Sequence, residues 1–89
     1  MKNLTSWVTR VTVVHREHGL RFIIYVDDHE PAHVHVRGDG EAKIELGNAE
    51  FGPSLVYAKG LSNADIRRVM RTVIMHREAF VADWRRIHG

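Results

Sequence analysis

Eighty-nine residues, 44% apolar and 27% charged, suffice for one small globular domain and exclude both a second domain and a disordered chain. The absence of cysteine excludes thiol catalysis, thiolate zinc sites and disulfide staples, so stability must come from packing, a metal or a partner chain. Thirteen Lys and Arg against eleven Asp and Glu give a net charge of +2, too little to mark a nucleic-acid binder and ordinary for a solvated surface.

The opening "MKNLTSWVTR" lacks the apolar run of a signal peptide, and no stretch of the chain is apolar enough to span a bilayer. A cytoplasmic, non-membrane location is the default expectation. Trp7, near Leu4, either staples the first strand or awaits a partner. "RVTVVH" and "LRFIIYV" are β-branched and aromatic and read as two strands around "REHG". A two-residue turn at His18 and Gly19 pairs His15 with Phe22, Val13 with Ile24 and Val11 with Val26. That register gathers Val11, Val13, Phe22, Ile24 and Val26 on one face. His15 and His18 then flank the turn in solvent.

"DDHEP" interrupts the alternation, and Pro31 makes it a connecting loop. "AHVHVR" and "EAKIEL" follow as a second pair of strands around "GDG". A three-residue loop sets Arg37 opposite Glu41, Val36 opposite Ala42, His35 opposite Lys43, Val34 opposite Ile44 and His33 opposite Glu45. Apolar then meets apolar at each step, which a two-residue loop would spoil. Gly40 suits a left-handed bulge position in such a loop. Gly47 and Asn48 look like a turn, Pro53 argues against a central strand, and residues 55–58 read as a short fifth strand.

From Ser62 the period becomes helical, with Ser62 as N-cap and Asp65 three residues on. Ile66, Val69, Met70, Val73 and Ile74 form a stripe that Phe80, Val81, Trp84 and Ile87 continue. Trp84 reads as core. A rod over residues 62–87 would run about 39 Å, against a diameter near 30 Å for a compact chain of this size. A kink or break near Met75 and His76 is therefore expected, with His76 as a polar joint. This segment also carries Arg67, Arg68, Arg71, Arg77, Arg85 and Arg86, either an anion-facing stripe or the wet side of an amphipathic helix. The fold class is thus α+β in a single domain, residues 1–89. An antiparallel sheet of four to five strands, built from two hairpins over about residues 8–58, packs against a C-terminal helical segment over about 62–87, either one kinked helix or two.

The chemistry concentrates in "DHEPAHVHVR", residues 28–37. Strand alternation sends His33, His35 and Arg37 to one face, and the pairing adds Glu41, Lys43 and Glu45 beside them. Three readings stay open. As a metal site, His29, His33, His35 and Glu45 supply N and O ligands for a divalent ion, although Lys43 opposite His35 opposes a cation. As a phosphate site, His33 and His35 act as acid and base while Arg37 and Lys43 hold an oxyanion. As plain structure, the histidines are exposed and paired to Glu45 and Glu41. No phosphate-binding glycine loop, nucleophilic triad or zinc-protease motif is present.

The run "HEPAHVHV" resembles the signature of a small bacterial family, the domain of unknown function 4160 family: approximately His-x-Pro-Pro-His-Phe-His-Val, a Gly-bearing turn and an "E-A-x-I" strand. Glu41-Ala42-Lys43-Ile44, His76-Arg77-Glu78 and Trp84 extend the resemblance over roughly residues 15–87. Ala32 stands where the family has its second proline and Val34 where it has phenylalanine. The resemblance implies no established activity or cofactor, but it implies functional roles for His29, His33 and His35. It also implies an arrangement similar to toxin–antitoxin pairs, and two functional expectations follow. One is a toxin-like component acting on nucleic acid or a nucleotide through the His-rich face, and the other is a non-catalytic module that binds a small cognate protein, its histidines either shaping the interface or holding a metal.

Overall fold

Two short turns set the register of the sheet. The computed structural model describes residues 10–89, so the readings of Leu4 and Trp7 lie outside the described residues. Strands β1 (Val11–Glu17), β2 (Leu20–Tyr25), β3 (His33–Arg37), β4 (Glu41–Glu45) and β5 (Ser54–Lys59) pair antiparallel in simple chain order, and helix α1 (Asn63–His88) follows. His18 and Gly19 take φ of 56° and 73°, the two left-handed positions that a two-residue hairpin turn requires. Next to that turn Glu17 faces Leu20, Arg16 faces Arg21 and His15 faces Phe22, as expected.

Beyond His15 the register changes. A bulge at Val14 sets Val13 opposite Ile23 and Val11 opposite Tyr25, one residue off the expected ladder. Val11 and Val13 are thereby turned away from Phe22 and Ile24 and stay exposed, and Val26, beyond the strand end, is exposed too. Val14 packs on the core in their place. Period-two patterning cannot foresee an inserted residue, which is why the expected five-residue face fails here.

The β3–β4 hairpin pairs as the alternation predicts, from Arg37 opposite Glu41 to His33 opposite Glu45. Gly40, however, does not adopt the left-handed conformation. It is needed for space instead, because a Cβ there would lie 2.3 Å from the Lys59 carbonyl oxygen. After β4, Gly47 has φ 67°, and the Asn48 side-chain oxygen accepts hydrogen bonds from the Glu50 and Phe51 N–H groups, closing the expected turn. Pro53 sits just before β5, an edge strand, where its missing donor costs no ladder bond.

Ser62 caps α1 by accepting a hydrogen bond from the Asp65 N–H at 3.0 Å. The helix then runs 26 residues as one continuous element, without the expected break near Met75 and His76. The premise that failed was compactness: the molecule extends 45 × 31 × 18 Å, so a rod of about 39 Å fits its long axis. Val69, Thr72, Val73, Phe80 and Trp84 are the buried helix residues, whereas Ile74 and Met75 are exposed. Ile74 follows Val73 by about 100° around the axis and so leaves the buried stripe. The buried face meets Phe22, Ile24, Val34, Val36, Ala42 and Ile44 from the inner side of the sheet. His76 is not a joint but a ring stacked on Phe80 and lying 4.4 Å from the His15 ring.

Arg77 fastens helix to sheet. Its guanidinium donates to the carbonyls of Leu46 and Gly47, both at 2.7 Å. No helix among the described residues is long and apolar enough to cross a membrane.

Candidate functional site

Directly paired residues share a face of the sheet, so the register alone defines what the outer side presents. One row runs Arg16, Arg21, Arg37, Glu41 and Lys59 across all five strands. The next runs Val13, Ile23, His35, Lys43 and Tyr57. His33 and Glu45 begin a third row beside them. Arg21, Arg37, Asp39, Glu41 and Lys59 line a concavity of about 460 Å³ at the β3–β4 loop.

The chain between β2 and β3 completes the site. Asp27 turns outward to pair with Arg10, and the Asp28 N–H donates to the Tyr25 carbonyl at 3.1 Å. This places Asp28 over the paired histidines. Its Oδ2 lies 3.1 Å from His33 Nε2 and 3.3 Å from His35 Nε2. That oxygen is buried, yet neither imidazole is aligned to hydrogen-bond it. The two histidine rings stand edge to face with centroids 5.0 Å apart.

His33 is fixed on its far side. Its Nδ1 lies 2.9 Å from the Pro31 carbonyl, which only accepts, so Nδ1 carries the proton and donates. In the neutral ring Nε2 is then a bare lone pair facing Asp28. Trp84 backs the site, with its ring centroid 5.1 Å from that of His33 and its indole N–H donating to Glu30 Oε2 at 2.9 Å. The Tyr25 ring walls His35 at 4.9 Å. Burial pushes the His35 imidazole below the usual histidine range. The nearby Asp28 carboxylate opposes that shift, while His33, Lys43 and Arg37 add to it.

The expected site residues therefore separate. His33 and His35 converge, with Arg37 and Lys43 on the same face. His29 is exposed and does not join the cluster, and Glu45 faces His33 in register without entering it. Asp28 takes the carboxylate position instead. Nor are the imidazoles simple exposed groups paired to Glu45 and Glu41: His33 is only 4% exposed, and Glu41 pairs with Arg37 at 3.7 Å. His15, read as solvent-facing, is half-buried against Phe22 and Phe80, and its Nε2–H donates to Glu17 at 2.8 Å. Among the C-terminal arginines, Arg77 is structural, and Arg68 and Arg86 pair with Asp65 and Asp83 within the helix.

Asp28, Tyr25 and Glu30 escaped sequence reasoning because none shares a strand with the histidines. The only signal was the doubled acid "DD" at the start of the loop that returns to His33.

A family model described as a domain of unknown function (DUF4160) matches residues 19–85, most of the chain. No curated protein and no solved structure matches it.

Proposed function

The chain belongs to the DUF4160 family, and we propose that it binds single-stranded nucleic acid across the outer face of its sheet. The arginine row carries this reading. Arg16, Arg21 and Arg37 are direct cross-strand neighbours, an arrangement that repels itself and lowers stability unless an anion lies over it. Glu41 offsets Arg37, but among the described residues Arg16 and Arg21 have no carboxylate in ion-pair range. At about 4.8 Å per strand the five positions span roughly 19 Å. Such a cationic track suits successive phosphates, and Tyr57 on the neighbouring row offers a ring for base stacking. Arg37 and Lys43 are the anion clamp in this reading, with His35, held neutral by burial, as the base and His33 as its acid–base partner. The family resemblance adds a toxin-like role within a pair of small proteins.

Fluorescence anisotropy with a labelled single-stranded oligonucleotide tests the binding. Arg21→Ala and Arg37→Ala should each weaken it and lower the salt slope by about one. Binding by both variants as tight as that of the native chain, or no binding by the native chain at low salt, removes the reading. For the toxin-like role, expression of the native chain should slow growth, and a His33→Ala/His35→Ala double variant should not. Equal inhibition by both forms defeats the catalytic assignment.

A second reading, a module that docks a small cognate protein, is favoured by the exposed Phe51, Ile74 and Met75. Ile74 and Met75 line a cavity with Ala49 and Pro53 on the side of the molecule that carries α1. Ile74→Glu should abolish co-purification with the cognate protein while leaving oligonucleotide binding intact.

A further inference from the structure

We propose that Asp28, His33 and His35 form a binding site for a divalent transition-metal ion. This stands independently of oligonucleotide binding, since a chain that binds no oligonucleotide can still bind the ion, and it replaces the acid–base roles of His33 and His35, whose Nε2 atoms the ion would occupy. The argument begins with an unmet need. Asp28 Oδ2 is buried and has no hydrogen-bond partner, although two imidazole nitrogens lie within 3.3 Å. A buried carboxylate oxygen without a partner is costly, the more so when it is charged. The Pro31 carbonyl makes the conflict sharper: it holds a proton at His33 Nδ1, so that in the neutral ring Nε2 is an acceptor facing another acceptor. A cation between them satisfies both.

The spacing fits. Metal–nitrogen and metal–oxygen bonds of about 2.0–2.1 Å place two ligand atoms roughly 3.1–3.3 Å apart when the angle at the ion is about 100–105°. The separations from the carboxylate, 3.1 and 3.3 Å, are those values. Second-sphere support is present as well: a ligating histidine commonly donates its other N–H to a backbone carbonyl, as His33 does to Pro31. Two imidazoles and one carboxylate, with no sulfur, select zinc, cobalt, iron or manganese over calcium and magnesium. Three protein ligands leave at least one coordination position open, the arrangement of a reactive centre rather than of a closed structural one. Lys43, across the strand from His35, weakens the hold on a cation and places the affinity below that of a structural zinc site.

A second cluster, His15, Glu17 and His76, provides the internal control. There the carboxylate already accepts a hydrogen bond from His15 at 2.8 Å, so no comparable need exists.

The test is titration of the chelator-treated full chain with cobalt(II), followed by visible absorption and by displacement with zinc(II). One equivalent should bind, and Asp28→Asn and His35→Ala should each weaken binding about tenfold or more, while His15→Ala leaves it unchanged. Thermal unfolding of every variant reports whether it folds. For any that does not, long-range ¹⁵N spectra of the native chain replace it, with zinc(II) expected to shift the His33 and His35 Nε2 resonances and not those of His15. Absence of saturable binding overturns the proposal. So does binding that survives both site variants, or binding that His15→Ala alone abolishes.

Discussion

Replacing Arg77 separates a structural role from the anion-binding role that six arginines in the last third of the chain invite. The guanidinium makes two charge-assisted hydrogen bonds, to Leu46 O in a part-buried setting and to Gly47 O at the surface, each 2.7 Å long. A hydrogen bond to a charged group contributes about 1.5–3 kcal/mol when sheltered and less when wet. Leu46 is fully buried, so the carbonyl left behind gains little compensation from water. Arg77→Ala is therefore expected to cost about 2 kcal/mol, which for a domain of this size lowers the melting temperature by roughly 8–16 °C. Arg77→Lys, with one point-like donor instead of a fork, should recover part of the loss. Arg85→Ala, whose side chain makes no hydrogen bond or ion pair among the described residues, should shift the midpoint by under about 0.5 kcal/mol. Circular dichroism melts of the three variants decide the matter. If Arg77→Ala melts with the native chain, these bonds do not hold the helix to the β4–β5 turn.

Three more outcomes follow from the packing and the turns. Phe80→Ala removes a ring packed between His15, Phe22 and His76 and should cost about 3–5 kcal/mol in denaturant unfolding. Gly40→Ala drives a Cβ to 2.3 Å from the Lys59 carbonyl, whereas Gly52→Ala meets nothing and faces only the left-handed strain of about 1–2 kcal/mol. Gly40→Ala should thus be much the more damaging of the two by melting temperature. The hydrogen bond from His15 holds the Glu17 carboxyl below the usual carboxylate range; desolvation opposes the shift, and the electrostatic pull of nearby His18, His15 and His76 adds to it. Its folded pKa is depressed, so its contribution is present above the unfolded value of about 4.3 and is lost as pH falls through the folded one. Glu17→Gln should flatten that limb of the stability–pH curve, matching the native chain at low pH and falling slightly below it at neutral pH.

The sequence made legible those elements where local chemistry and side-chain period agree. "GDG" between two alternating runs fixed the β3–β4 ladder residue for residue, and Ser62 marked the helix start. Agreement failed where an element is irregular or where the criterion was global. Val14 is one extra residue in β1, and "RVTVVH" alternates equally well with or without it. The helix was expected to break because a sphere was assumed, but a five-stranded meander is wide and flat and accepts a long rod across it. The placement of His33 and His35 on one face was readable from parity alone. Their depth was not, because Trp84 and the loop that covers them are remote in sequence.

The same loop explains why the carboxylate of the cluster is Asp28 rather than Glu45. A cross-strand partner such as Glu45 stands beside His33 on the sheet, and strand pairing holds the two chains apart by the width of the ladder. A residue arriving over the face from a loop is free of that constraint and can bring its oxygen to both rings at once, as Asp28 does at 3.1 and 3.3 Å. Arg10 aids this by taking Asp27 outward, so that two adjacent acids diverge and only one enters the site. The helix shares in it as well: Trp84 buries its ring in the core, backs His33 and holds Glu30 through its N–H, two residues from Asp28. Core packing on the inner face thus positions the polar cluster, and a change at the end of α1 reaches the histidines without touching the strand that carries them.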